Sequence, residues 1–143
     1  MSKIKYGKLE AFSEQQLIDC TLTTTMEICD FSDYRNCFQH IESNGIARES
    51  EYPWKGQIQK CKFEEGSFQI SGFKRIENSC SELISSLRMG PVAVGVDASK
   101  WAFYKSGIFN NCVIGLSWNF GAVLVAATQQ YWKLKVSYGP NWG

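Results

Sequence analysis

The chain is expected to fold as an α+β protein, with a helical first part and a strand-dominated second part. Three observations carry that expectation. Apolar residues between positions 13 and 45 recur at helical spacing behind capping-type residues, and from about position 67 they alternate at period two. The composition, 44% hydrophobic and 20% charged over 143 residues, is that of a folded chain long enough for one substantial core.

Taken in order, Ser13 followed by Gln16 is a capping-box pattern, after which Leu17 and Ile18 begin an apolar face. A second helix is expected where Tyr34, Cys37, Phe38 and Ile41 fall at i, i+3, i+4 and i+7. Ser32 or Asp33 can cap its start, and Asn44-Gly45 stops it. The chain's one histidine, His40, lies on this helix off the apolar stripe, where a solvated or packed side chain is the expected role. Phe68 and Ile70, then Phe73 and Ile76, suggest a strand. Ser79 to Glu82 is a further capping box, opening a short helix with Leu83, Ile84 and Leu87 on its apolar face and a Gly90-Pro91 stop. Two more strands are expected: Val92, Val94 and Val96 oppose Ala93, Gly95 and Asp97, and Trp132, Leu134 and Val136 oppose Tyr131, Lys133 and Lys135. No internal repeat, low-complexity run or Pro-rich linker interrupts the chain.

A net charge of +1 with scattered lysines gives no basic patch of the kind that binds nucleic acid or an anionic membrane. No apolar stretch is long enough for a transmembrane helix, so no direct membrane insertion is expected, and MSKIKYGKLE lacks the apolar core of a signal peptide. The six cysteines are Cys20, Cys29, Cys37, Cys61, Cys80 and Cys112. No two have the Cys-x-x-Cys spacing of a zinc site, so no metal or other cofactor is expected. Cys80 lies near a helix start, but nothing else marks it as a reactive thiol.

Five stretches go further. SEQQLIDC (13–20), NGIARESEYPWKG (44–56), GPVAVGVDAS (90–99), FYKSGIF (103–109) and YWKLKVSYGPNWG (131–143) resemble the papain-like cysteine peptidases and occur in that family's order. The resemblance implies a papain-like two-subdomain fold, a helical part of about 1–66 against an antiparallel barrel-like sheet of about 67–143, with the active-site cleft between. Because the chain begins at Met1 and stops at Gly143, it is expected to lack the nucleophile helix, the oxyanion-hole glutamine and the last C-terminal strands.

The family mechanism needs a thiolate, an imidazole that activates it and an amide that orients the imidazole. The family's LNHAVLVVGY is met here by LSWNFGAVLVAAT. Anchoring on AVLV sets Gly121 at the histidine position, and anchoring on Cys112 and Leu116 sets Trp118 there. The orienting asparagine of KNSWGP is met by Val136 in KVSYGP, and its shielding tryptophan by Tyr138. The Gly-Cys-x-Gly-Gly run that lets the backbone approach an extended peptide is met by ICDFS, with Ile28, Phe31 and Ser32 at the glycine positions.

For the cysteines, the resemblance implies a Cys20–Cys61 disulfide. It leaves Cys29 and Cys112 without family partners and gives Cys37 and Cys80 no counterpart, so these four are expected to be buried, inert thiols in a reducing, intracellular compartment. The expected function is therefore a catalytically inactive structural or interaction subunit, with other protein subunits covering the apolar surface left by the absent helix. Trp54, Trp101, Trp118 and Tyr138 are candidate anchors. The alternatives are a cysteine-type peptidase fragment, or a peptide-binding or inhibitory module that uses the vestigial cleft.

Overall fold

The structure, a computed structural model, describes residues 2–21, 34–62, 65–77, 79–112 and 118–143. They fall into two compact units, Ser2–Arg75 and Ile76–Gly143. The groove positions Ile28, Phe31 and Ser32, the cap residue Asp33 and Cys29 lie outside the described residues.

The first unit holds α1 (Ser2–Tyr6), α2 (Glu14–Thr21) and α3 (Tyr34–Asn44). Ser13 caps α2 as its sequence implies, its Oγ accepting from the Gln16 N–H at 2.9 Å and donating to the Tyr52 carbonyl at 2.6 Å. The buried face of α2 is not the expected apolar one. Gln15, Gln16 and Asp19 are buried, whereas Leu17 and Ile18 are half-buried. The reason is that the helix packs against irregular backbone, whose N–H and C=O groups need partners. Gln15 Oε1 accepts from the Lys55 N–H at 2.8 Å, and its Nε2 donates to the Gln57 carbonyl at 2.8 Å. Asp19 accepts from the Gln59 N–H at 2.7 Å and from the Tyr52 hydroxyl at 2.7 Å. Burial and that bond push the Tyr52 phenol up. Among the described residues no buried side-chain nitrogen or oxygen lacks a partner.

Helix α3 runs to the predicted stop, where Gly45 takes φ +80° and its N–H bonds the Ile41 carbonyl at 3.0 Å. Glycine is also required here for a close approach. A Cβ at Gly45 would sit 2.9 Å from Gly66 Cα, and one at Gly66 would sit 2.7 Å from Gly45 Cα. That approach lets Ile46 and Phe68 exchange backbone hydrogen bonds of 2.7 and 3.2 Å. Ile46, Ala47 and Phe68 form the buried apolar centre of this unit, with the Phe12 ring 4.8 Å from that of Phe68.

The strand expected over 68–76 reduces to this one bridge. Ser71-Gly72 breaks the alternation, and Phe73 stacks on Phe38 of α3 at 5.5 Å. Residues up to Arg75 accordingly belong to the helical unit. The Cys20–Cys61 disulfide is formed, with a Cα–Cα distance of 4.9 Å, and joins the end of α2 to the loop that Asp19 holds.

The second unit holds α4 (Cys80–Leu87), β1 (Val92–Val96), a 3-10 turn (Trp101–Phe103), β2 (Phe120–Ala127) and β3 (Trp132–Lys135). Ser79 caps α4, accepting from the Glu82 N–H at 3.5 Å. The strands form an antiparallel sheet in the order β1-β2-β3. Its central strand, β2, was not among the predicted ones, since Phe120–Ala127 is apolar throughout and shows no period-two contrast. The alternation appears in burial: Ala122 and Leu124 are buried, while Gly121, Val123 and Val125 are exposed. Helix α4 packs against β1 and β2.

Candidate functional site

Gly121, Trp118, Val136 and Tyr138, the residues expected at the family's catalytic positions, lie around the start of β2 and the end of β3. Gly121 of β2 lies opposite Gly95 of β1 in the antiparallel register, and neither glycine carries a side chain over the sheet. The Trp118 side chain occupies the space above Gly95, where an added methyl group would lie 3.5 Å from its Cβ and 3.6 Å from its Cγ. The two candidate histidine positions thus belong to one patch, a bare backbone at Gly121 and an indole lying over Gly95. Trp118 is 59% exposed.

Asn119 fixes the approach to this patch. Its N–H donates to the Val96 carbonyl at 3.1 Å, its Oδ1 accepts from the Ala98 N–H at 2.8 Å, and its Nδ2 donates to Ser99 Oγ at 2.7 Å and Asp97 Oδ1 at 3.2 Å. Hydrogen bonds from Ser99, through its hydroxyl and its backbone, together with Asn119, hold the Asp97 carboxyl below its usual range. The arrangement is a loop clamp that joins the ends of β1 and β2. Ser99 has the Asp97 carboxylate and the Asn119 amide beside it, and a carboxylate held below its usual range is a poor proton acceptor, so the hydroxyl is held in place without being activated as a nucleophile.

Val136 directly follows β3 and is half-buried. The register that opposes Val123 to Lys135 would oppose Ala122 to Val136 one step further, next to Gly121. Tyr138 then stacks on Phe120 at 4.8 Å with an interplanar angle of 25°. The rings of Trp101, Phe120, Tyr138 and Trp142 close a cycle with centroid separations of 4.8 to 5.9 Å. Of the candidate anchors, Trp101 and Tyr138 are members of this packed cluster, and Trp54 and Trp118 lie outside it. Phe120 and Trp142 were not foreseen as its members; the density of aromatics over 101–109 and 118–142 was the available signal. Chemically, Gly121, Trp118 and Val136 offer no side-chain proton acceptor: glycine and valine have none, and indole N–H only donates.

His40, on α3 in the first unit, is half-buried and packed. Its Nε2 lies 3.0 Å from Gln16 Nε2, and its Nδ1 lies 3.4 Å from Asn44 Nδ2. Burial pulls its pKa below the usual imidazole value. The first unit also carries an open hollow of about 490 Å³ lined by Ala47, Glu51, Tyr52, Lys62, Glu65, Gly66 and Ser67. Its Glu51 carboxylate is engaged by the Arg48 backbone N–H at 2.8 Å and side chain at 3.1 Å, and by Ser67 at 3.3 Å.

The expectation of buried thiols needs correction for two of them. Cys80 begins α4 and Cys112 lies in a loop; both are exposed, and Cys37 is half-buried, 3.6 Å from Thr21 Oγ1. First-turn residues of a capped helix face outward when the apolar stripe starts later, as it does here at Leu83. Among the described residues no three His, Cys, Asp or Glu side chains are placed to hold a metal, and no helix is long and apolar enough to cross a membrane.

Comparison with known proteins bears on the whole chain. The family profile described as papain family cysteine protease matches residues 1–143. Cathepsin L 1 of Paramecium tetraurelia is 34% identical over 143 residues, covering 98% of this chain and 45% of that protein. The chain spans about half the length of the curated relatives it matches. Among solved structures, the bromelain protease of Ananas comosus in complex with the E64 inhibitor is 33% identical with a TM-score of 0.84, covering 99% of this chain and 68% of that one. A cysteine protease of Carica candamarcensis in complex with E-64 is 29% identical with a TM-score of 0.87 over the same shares.

Proposed function

The chain belongs to the papain family of cysteine proteases and has the papain-like fold, a helical part and an antiparallel sheet, and we propose that it is a catalytically inactive member serving as an interaction or structural subunit. The observation that carries this reading is the placement of its one imidazole. The sequence has a single histidine, and it lies on α3 against Gln16 and Asn44, while the family's imidazole position falls at Gly121 or Trp118 and its amide position at Val136. A thiolate supplied from anywhere would meet no base at these positions. Triad members act as a unit, so the loss of one typically costs several orders of magnitude in rate.

The interaction role is supported by apolar surface on the second unit. Phe103, Ile108 and Trp118 are largely exposed, and Val123 and Val125 present an open face of the central strand. Contiguous exposed apolar surface is rare on free monomers and tends to mark partner contacts. No charge pattern favours nucleic acid, so the expected partners are proteins. The test is size exclusion of native extract with thiol-dependent peptidase activity followed across the fractions. The chain is expected to elute well above the size of a single copy, and its immunodepletion to leave peptidase activity unchanged. Elution as a single copy, or loss of activity on depletion, would overturn the reading.

A further inference from the structure

His40 of α3 reaches the buried Gln16 of α2. Gln16 is completely buried, and its amide cannot be turned over. Its Oε1 accepts from the Ala47 N–H at 2.7 Å and its Nε2 donates to the Gly45 carbonyl at 3.1 Å, so reversing the amide would face N–H with N–H and oxygen with oxygen. The second Nε2 hydrogen points at His40 Nε2, 3.0 Å away. That contact is a hydrogen bond only when His40 Nε2 presents a lone pair, which places the ring proton on Nδ1. The Asn44 Nδ2 lies 3.4 Å from Nδ1 and donates to the His40 carbonyl at 3.4 Å; this amide is exposed, so it can turn its oxygen to the ring and leave that long carbonyl contact to water.

We infer that His40 is a pH-sensitive latch, in which the neutral imidazole completes the buried Gln16 junction and its protonation releases the 45–47 segment that Gln16 holds. An imidazolium carries a proton on both nitrogens, so its Nε2–H would confront the Gln16 NH₂ group with no acceptor between them. The strain falls on a side chain that also satisfies the Gly45 carbonyl and the Ala47 N–H, beside the Gly45–Gly66 approach and the Ile46–Phe68 bridge.

The packed elements also carry charged and titratable groups. On α2 these are Glu14 and Asp19, on α3 Tyr34, Arg35, Cys37 and Glu42, and on the following segment Arg48. Asp19 is taken up by Gln15, Tyr52 and Gln59, and Arg48 by Glu10 and Glu51. Burial is the cause of the lowered His40 pKa. Above the unfolded value of 6.5 both states are neutral and stability is full. As pH falls from 6.5 to the lower folded value, the unfolded chain takes up the proton first and stability is lost.

Because the chain has one histidine, its ring signals in NMR are unique. Titration of the folded chain is expected to give a midpoint below 6.5. Hydrogen-exchange protection of the Ala47 N–H should fall by up to about tenfold for each pH unit between 6.5 and that midpoint. His40→Gln keeps an acceptor that does not titrate, and its Ala47 protection should stay flat over the same range. A wild-type midpoint at or above 6.5 overturns the latch, as does an equal loss of protection in His40→Gln. If that variant fails to fold, the wild-type midpoint and the Ala47 protection decide alone.

Discussion

Replacing Gln16 with leucine should lower the unfolding free energy by about 3–5 kcal/mol. The side chain is fully buried and nearly the same size as leucine, so the substitution removes polar contacts rather than volume. It strands the Ala47 N–H, now 2.7 Å from Oε1, and the Gly45 carbonyl, now 3.1 Å from Nε2. A buried backbone group left unpaired costs about 1–3 kcal/mol, and two such groups would take a large fraction of the 5–15 kcal/mol typical of a whole domain. Urea unfolding followed by circular dichroism measures it as a drop in midpoint at unchanged slope. A change below about 1 kcal/mol would mean that water or rearrangement satisfies these groups and that the polar face of α2 does not hold the 45–59 segment.

Leu124→Ala should cost the second unit about 2–5 kcal/mol. Leu124 is 2% exposed, sits in the central strand and lies opposite Val92 on one side and Leu134 on the other. Truncation removes apolar contact and leaves a cavity that three strands and α4 cannot all close at once. The neighbouring Val123 points to the exposed face, so Val123→Ala should change stability by less than about 1 kcal/mol. Near-ultraviolet circular dichroism of the Trp101, Phe120, Tyr138 and Trp142 cluster reports loss of this unit. Equal effects of the two truncations would contradict the assignment of faces in β2.

The contrast between these two sites explains what sequence could and could not reveal. The α3 stripe ending at Gly45 and the Ser79 cap of α4 were legible because the signals are local: periodicity, a capping hydroxyl and a positive-φ glycine. The buried face of α2 was not, because Gln15, Gln16 and Asp19 face inward toward the backbone of residues 45–59, a partner no local pattern announces. The same holds for His40, whose bond to Gln16 crosses between helices off the apolar stripe. Strand β2 was hidden by its uniform apolarity, which marks a central strand only once its neighbours are known.

At the site, sequence anchors left Gly121 and Trp118 as alternatives for one position. Gly121 lies opposite Gly95 and the Trp118 side chain lies over Gly95, so either choice describes the same patch. The groove positions Ile28, Phe31 and Ser32 lie outside the described residues. The exposed Cys80 and Cys112 were not foreseen because cysteine's usual burial is a statistical tendency, and their own neighbourhoods decide otherwise.

The claim that this papain-family chain has lost its chemistry rests on Gly121, Trp118 and Val136, and catalysis itself is the direct measure of it. Purified protein in reducing buffer would be assayed for hydrolysis of a fluorogenic peptide from pH 4 to pH 8. The expected result is a rate indistinguishable from buffer at every pH. Saturable turnover abolished by substituting a single cysteine would show that a base is supplied by some other group, and the account of an inactive subunit would then be wrong.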